Sequence, residues 1–275
     1  MLTPQEQEFF SQLVYNHSGI ALGPEKTYLF ENRLGEVAKI VGCPNLAELC
    51  RRAKTNLTPD LRDMIVEAMT TNETLFFRDT SPFEVMKKKI IPDIVKRKSG
   101  TSKVLRIWSA ACSTGQEAYS IAIMLNEFFP EIVSTWNIEI LGTDISSKVV
   151  NKATSGRYSQ IEVNRGLPIA YLIKYFKQEA SEWIISDKIR RMCKFKKLNL
   201  KDNLFTLGSF DVIFCRYVLI YFDLQGKQKI FRDFIKLLGN DGILFLGSSE
   251  TIFGITDDFQ RSAFGEAIYY KLKQK

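Results

Sequence analysis

The spacing of apolar residues changes along the chain and divides it into two parts. In the first 70 or so residues, apolar positions recur three or four residues apart, as in Phe10, Leu13 and Val14, which predicts amphipathic helices. The pairs Thr3-Pro4 and Thr58-Pro59 are typical of helix starts, and Gly42 is typical of a helix end. We predict four helices: one after Thr3-Pro4, one from Pro24 to Val41 closed by Gly42, one from Asn45 to Lys54, and one from Thr58-Pro59.

The rest of the chain alternates short apolar runs with helical patterns. Such runs are typical of the buried strands of a parallel sheet. The predicted strands are Val104–Trp108, Ile138–Gly142, Phe210–Cys215 and Ile243–Leu246, with a final antiparallel hairpin near 259–271. The alternation breaks between 156 and 197, where we predict an inserted patch of short antiparallel strands. The pattern resembles an α/β fold of seven strands that binds a nucleoside cofactor, with a helical domain in front.

These changes give the expected domain boundaries. Residues 1–70 form an all-α N-terminal domain, and residues 71–98 form a linker with a connecting helix from about Pro82 to Lys98. Residues 99–275 form the α/β domain, which carries the β insertion at about 156–197.

Composition narrows the class of protein. None of the apolar runs reaches the roughly 20 residues needed to span a bilayer, and the N-terminus is polar and acidic, so we expect a cytoplasmic location. The five cysteines form no CxxC pair, which makes a disulfide framework or a zinc site improbable. His17 is the only histidine, so serine–histidine and cysteine–histidine catalysis are poorly supported.

The net charge of +7 indicates an acidic partner. Nucleic acid, anionic lipid and an acidic protein surface all satisfy this criterion, and charge alone does not choose among them.

Candidate chemistry lies where the predicted strands end. The small-residue turn after Trp108 contains Gly115 but no GxGxxG pattern, which disfavours a dinucleotide-dependent dehydrogenase. Asp144 follows the second strand, and a carboxylate there can accept both hydroxyls of a ribose. Strand ends in an open α/β sheet meet at one crevice. The groups expected there are Glu117, Asp144, Asn199-Leu200 and Arg216-Tyr217.

Five motifs in this order resemble the chemotaxis receptor methyltransferases, the CheR family, over almost the whole chain. They are Asn72–Arg78 (NETLFFR), Trp108–Glu117 (WSAACSTGQE), Gly142–Asp144 (GTD), Leu198–Leu200 (LNL) and Phe214–Phe222 (FCRYVLIYF). The resemblance implies a Rossmann-like S-adenosylmethionine-dependent methyltransferase domain. It also implies transfer of a methyl group to glutamate side chains of chemoreceptors, leaving S-adenosylhomocysteine.

The resemblance also implies the cofactor-binding residues. These are Asn72, Thr74, Arg78, Glu117, Asp144, Asn199, Leu200, Arg216 and Tyr217. Arg78 is expected to grip the methionine carboxylate, because a planar guanidinium suits a carboxylate. Asp144 has the alternative role of capping the helix that starts near Ser146. The chain departs from the family at Tyr217, where asparagine is usual, and at Ala118, where proline is common.

The proposed reaction needs neither a general base nor a metal. A glutamate carboxylate has a pKa of about 4.3 and is already an anion at neutral pH. A sulfonium methyl is an activated electrophile. Catalysis is therefore expected to depend on alignment, and no catalytic residue is assigned.

Recognition of the protein substrate is expected to lie in the helical domain. The predicted docking residues are Lys26, Arg33, Arg51 and Arg52, whose positive charge suits an acidic helical receptor segment. Two alternatives stay open: a methyltransferase acting on nucleic acid, and a non-catalytic module that binds S-adenosylmethionine and signals through protein contacts.

Overall fold

The computed structural model describes residues 2–23 and 28–273. The chain divides into two compact units, one of Met1–Thr71 with Ile220–Lys227, the other of Asn72–Leu219 with Gln228–Lys275.

The first unit is helical, as predicted. Its helices are α1 (Pro4–Ser18), α2 (Tyr28–Ile40), α3 (Leu46–Thr55) and α4 (Pro59–Met69). The predicted caps are present: the side chains of Thr3, Asn45 and Thr58 each accept a backbone N–H from the first turn. Pro24, the predicted start of the second helix, lies outside the described residues.

The segment from Ile220 to Lys227 belongs to this unit through specific bonds. Phe222 forms an antiparallel bridge with Ile20, and the Tyr15 hydroxyl donates to Asp223 Oδ2 at 2.7 Å. The core of the unit consists of fully buried apolar side chains, including Phe10, Leu34 and Ile65.

The second unit is built on a seven-stranded sheet. Its strands are β1 (Val104–Ala110), β2 (Asn137–Asp144), β6 (Cys193–Lys197), β7 (Phe210–Cys215), β8 (Leu238–Leu246), β9 (Phe259–Phe264) and β10 (Ala267–Leu272). The strand order is β6-β2-β1-β7-β8-β10-β9, with β10 antiparallel to both of its neighbours and the other pairs parallel. The α/β class and the terminal hairpin are confirmed.

Among the described residues, nine α-helices follow α4. They are α5 (Thr80–Val85), α6 (Ile91–Lys98), α7 (Gln116–Phe128), α8 (Pro130–Thr135), α9 (Ser147–Ser155), α10 (Gln160–Asn164), α11 (Ile169–Tyr175), α12 (Asp187–Arg190) and α13 (Leu224–Leu237), with a π-helical turn, Met86–Ile90, between α5 and α6. Adjacent residues of β1 face opposite sides of the sheet. Trp108 packs edge-on against Phe234 of α13, with ring centroids 5.6 Å apart, whereas Ser109 bonds Glu117 of α7.

The connecting helix predicted from Pro82 to Lys98 is interrupted by this π-helical turn. Pro92 lies in the first turn of α6 and has no N–H to donate. A shift to longer-range backbone bonding, with Ile91 N–H donating to Met86 O, lets the helix pass this position.

The inserted antiparallel sheet is present but ends earlier than predicted. It contains β3 (Arg157–Ser159), β4 (Phe176–Glu179) and β5 (Glu182–Ile185) in the order β3-β5-β4. The last part of the predicted insertion, Cys193–Lys197, is instead β6, which pairs in parallel with β2. The physical reason is close packing: a Cβ on Gly142 would lie 2.5 Å from the Phe195 ring, so glycine lets that ring lie directly on β2.

Candidate cofactor site

The turn after β1 has an unusual backbone. Ala111, Ser113 and Gly115 all have positive φ, at 57°, 50° and 93°. Two of these are not glycine, and such strained residues cluster at functional sites. Gly115 is also sterically required, because a Cβ there would lie 2.9 Å from the Cβ of Ala153.

Asp144 lies at the end of β2 and fixes this turn. Its Oδ2 accepts the backbone N–H of Ser113 at 2.9 Å, and its Oδ1 accepts that of Ser146 at 3.0 Å. The side-chain cap of α9 is Ser146, whose Oγ accepts Val149 N–H. These bonds tie the backbone of the turn and the start of α9 to the end of β2.

The Asn72–Arg78 segment is tied to the same turn. Ser113 Oγ donates to the backbone oxygen of Asn72 at 2.8 Å. Further along, Phe77 N–H donates to Ser120 Oγ at 2.9 Å, and Phe76 is fully buried against Tyr158 and Phe176. The polar Asn72 and Thr74 therefore precede an anchored aromatic pair, next to the turn after β1.

Arg216 follows β7 and is almost completely buried, with 3% of its side chain exposed. Its Nη1 bonds Glu117 Oε2 at 2.8 Å, and its Nη2 bonds Asp79 Oδ2 at 2.7 Å and the Arg78 carbonyl at 2.8 Å. Burial lowers the pKa of Arg216, but the Glu117 and Asp79 carboxylates more than offset this and raise it above its ordinary value. The guanidinium is a fixed positive charge at the strand ends.

Nε of Arg216 is buried and finds no hydrogen-bond partner within the described chain. An unpaired buried donor is uncommon in folded proteins and points to an acceptor supplied by a ligand or water.

Tyr217 and Arg78 contact each other. The Arg78 guanidinium carbon lies 3.8 Å from the centroid of the Tyr217 ring. The Tyr217 hydroxyl bonds the Asp79 carboxylate and Ser248 Oγ.

Asn199 and Leu200 follow β6. Leu198 N–H donates to Asp144 O at 2.8 Å, so the ends of β2 and β6 are adjacent. The Asn199 side chain accepts Lys201 N–H, and Leu200 is buried. One polar and one apolar residue thus follow the strand that pairs with β2.

Three further residues take part in this site that sequence reasoning did not identify: Asp79, Ser248 and Glu250. Ser248 and Glu250 follow β8, so applying the strand-end argument to a fifth strand would have found them. Asp79 directly follows the NETLFFR motif, but only the folded structure shows its bond to Arg216.

The predicted docking residues lie in the first unit. Arg33 donates to the carbonyls of Met69 and Thr70 at the end of α4. Arg51 forms a salt bridge with Glu48, and Arg52 donates to the Val41 carbonyl. Lys26 lies outside the described residues. These bonds give each described arginine a role in its own unit, and docking stays a prediction.

A cavity of about 380 Å³ lies at the opposite end of the strands, where β1, β7 and β8 begin. Its charged groups pair with one another: Lys98 Nζ lies 2.5 Å from Asp211 Oδ1, and Arg97 Nη1 lies 3.1 Å from Asp241 Oδ2. Among the described residues that line this cavity, none has a buried donor without a partner like Nε of Arg216.

The described residues lack two further features. They contain no group of three or more His, Cys, Asp or Glu side chains placed to hold a metal ion. They also contain no helix with the length and hydropathy required to cross a membrane.

Comparison with known proteins identifies both parts of the chain. Residues 5–70 match the family model described as CheR methyltransferase, all-alpha domain, and residues 72–268 match CheR methyltransferase, SAM binding domain. The second match confirms the predicted cofactor, S-adenosylmethionine.

Curated relatives match over nearly their full length. The chain is 39% identical to chemotaxis protein methyltransferase 1 of Pseudomonas aeruginosa and 39% identical to chemotaxis protein methyltransferase Cher2 of Pseudomonas putida, covering 97% of each chain in both cases. It is 36% identical to a chemotaxis protein methyltransferase of Vibrio parahaemolyticus, covering 99% of this chain and 98% of the relative. The chain therefore belongs to the CheR family of S-adenosylmethionine-dependent methyltransferases.

Proposed function

We propose that this methyltransferase transfers the methyl group of S-adenosylmethionine to glutamate side-chain carboxylates of chemoreceptors. The observation that supports this most directly is the cluster at the strand ends, where Asp144, Glu117 and Arg216 are fixed by mutual and backbone hydrogen bonds. No histidine lies in the cluster, as expected for an acceptor that is already ionised.

The residues of the cluster fit the chemical parts of the cofactor. Asp144 offers carboxylate acceptors to the ribose hydroxyls, and Asn199 and Leu200 offer one polar and one apolar neighbour to the adenine. Arg78 offers a planar guanidinium to the methionine carboxylate, and the remaining predicted contacts are polar groups of Asn72, Thr74, Glu117 and Arg216-Tyr217. When bound, the cofactor supplies the activated methyl group.

The protein's contribution is positioning. Alignment of reacting groups in favourable systems is worth roughly 7–11 kcal/mol. The fixed charge of Arg216 and the bonded turn after β1 preorganise the site before ligand binds, so little reorganisation accompanies the transfer.

Receptor recognition is proposed to involve the basic side chains of the first unit. Arg51 is two-thirds exposed and pairs with a single carboxylate, and Arg52 lies on the same helix. Together with Arg33 and Lys26 they would attract an acidic helical segment of a receptor. Because the methylated receptor segments would be cytoplasmic, we propose a cytoplasmic location.

A methyl-transfer assay tests the proposed function. The protein is incubated with S-adenosylmethionine labelled in its methyl group and with chemoreceptor-containing membranes, and Asp144→Ala serves as the control variant. We expect receptor labelling that mild base releases, as for a methyl ester, and little labelling by Asp144→Ala.

Three outcomes would contradict the proposal. Base-stable label would mean another acceptor group, and label in added RNA or DNA would support the nucleic-acid alternative. Cofactor binding with no transfer to any receptor would support the non-catalytic module.

A further inference from the structure

Three residues with left-handed backbone lie in two segments that contact each other. Phe77 and Asp79 have φ values of 50° and 54°, and Tyr217 has a φ of 59°. For an aromatic residue this conformation is a genuine outlier, and it persists only where surrounding contacts hold it. The contacts of Tyr217 therefore indicate what its side chain does.

The backbone of Tyr217 is held without help from its ring. Glu250 Oε2 accepts the N–H groups of both Tyr217 and Gly247 at 2.7 Å, and its Oε1 accepts Leu219 N–H at 2.8 Å. One carboxylate thus fixes the turn after β7. The ring must have a separate role.

The ring contacts the Arg78 guanidinium. The guanidinium carbon lies 3.8 Å from the ring centroid, within the range of a cation–π contact. The ring also lies against Gly247, where an added Cβ would approach Tyr217 Cδ1 to 2.9 Å. Because Gly247 has no side chain, the ring can occupy this position.

Arg78 has few other restraints. Apart from the contact with Tyr217, its side chain shows one hydrogen bond, which Nη1 donates to the Glu73 carbonyl at 3.2 Å. Arginine has many rotamers, and ordering them costs free energy when a ligand binds. A flat aromatic surface under the guanidinium reduces that cost before binding.

We propose that Tyr217 is a positioning residue that holds the Arg78 guanidinium ready for the carboxylate of bound S-adenosylmethionine. The inference rests on the proposed cofactor role of Arg78. It differs from a direct contact between Tyr217 and the cofactor, because the effect of Tyr217 passes through Arg78.

The test is a double-mutant cycle on the affinity for S-adenosylhomocysteine, measured by titration calorimetry. Tyr217→Asn removes the ring but keeps a residue that tolerates left-handed backbone. Tyr217→Phe keeps the ring and removes only the hydroxyl. Arg78→Ala, alone and combined with Tyr217→Asn, closes the cycle.

We expect Tyr217→Asn to weaken binding about fivefold and Tyr217→Phe about twofold or less, since only the first removes the cation–π contact. In the Arg78→Ala background, Tyr217→Asn should weaken binding further by no more than the loss of the hydroxyl does, about twofold or less. Arg78→Lys keeps the charge but loses the planar stack, so it should weaken binding about as much as Tyr217→Asn, about fivefold.

Additive losses in the double variant would overturn the inference, because they would mean that Tyr217 acts independently of Arg78. Equal losses for Tyr217→Phe and Tyr217→Asn would also overturn it and assign the effect to the hydroxyl. If Tyr217→Asn does not fold, the affinities of Arg78→Lys and Arg78→Ala for S-adenosylhomocysteine are compared instead. Binding by Arg78→Lys as tight as that of the wild type would count against the contact between the Arg78 guanidinium and the Tyr217 ring. The acceptor takes no part in this measurement, so a failure to methylate glutamate would leave the result interpretable.

Discussion

Among individual residues, Asp144 combines an observed structural role with a proposed ligand-binding role. The sequence left open whether it caps a helix or binds a cofactor. The structure shows its carboxylate accepting backbone N–H groups on both sides, from Ser113 and from Ser146. The carboxylate that shapes the turn is thus also the one proposed to bind the ribose.

Asp144→Asn should therefore lower both stability and cofactor affinity. An amide has one acceptor oxygen, so one buried N–H loses its partner, at a cost of about 1–3 kcal/mol. Loss of charge-assisted bonds to the ribose should weaken S-adenosylhomocysteine binding at least about tenfold. Urea unfolding and calorimetric titration measure the two effects.

Asp241→Asn is the matched control, because Asp241 is half-exposed and pairs with Arg97 at the opposite end of the strands. It should change stability by less than about 1 kcal/mol and leave cofactor affinity unchanged. Unchanged cofactor affinity in Asp144→Asn would rule out the ribose assignment.

Site residues were predictable from the sequence to the extent that they follow predicted strands. Asp144 and Arg216 come at the ends of apolar runs, so the strand-end argument predicts their position at the ends of β2 and β7. Asp79 has no such signal. Its partners Arg216 and Tyr217 lie more than 130 residues away in the chain, and only folding brings them together.

Among secondary-structure elements, prediction succeeded for continuous apolar runs and failed for mixed ones. Phe210–Cys215 is buried at every position and was recognised as a strand. Cys193–Lys197 alternates lysine with the buried Cys193 and the partly buried Phe195, a mixed pattern that the sequence alone places in the insertion. The position of β6 depends on Phe195 fitting over Gly142, which no local pattern reveals.

The insertion contains an element with a clear pH dependence. Glu162 closes the capping box of α10 by accepting Ser159 N–H at 2.8 Å, and it pairs with Lys152 of α9. Burial raises the pKa of Glu162, but the bonds to Lys152 and Ser159 outweigh burial and lower it below the ordinary 4.5.

Because the pKa is lower in the folded state, the stabilisation is present above about pH 4.5 and is lost as the pH falls through the folded value. Glu162→Gln should be less stable than the wild type at neutral pH, and the difference should shrink in acid. Urea unfolding across this pH range measures it. Glu266→Gln, in the exposed β9–β10 turn, is the control, and a difference that grows in acid would contradict the assignment.

At the scale of the whole molecule, each unit has its own buried core, and the cysteines report on both. Cys43 and Cys50 belong to the first unit, and Cys112, Cys193 and Cys215 to the second; all five are free and buried. Burial raises the pKa of Cys112, Cys193 and Cys215, and nearby Asp144 and Glu117 add to the effect at Cys112. Thiolates, the reactive form, are thereby disfavoured.

We expect none of the five thiols to react quickly with a thiol reagent in the native protein at neutral pH. In strong denaturant all five should react. Titration with Ellman's reagent measures both states. One rapidly modified thiol in the native protein would contradict the burial of the core that contains it.

The edge strand β6 and its lysines affect how the protein associates in solution. In the part of the chain that the structure describes, no further strand pairs with the outer side of β6. The backbone groups of such an edge strand can pair with the same strand of another molecule. Exposed ammonium groups at Lys194, Lys196 and Lys197 would face their own counterparts in that arrangement. Like charges then repel, so the sheet is protected from growing into fibrils at this side.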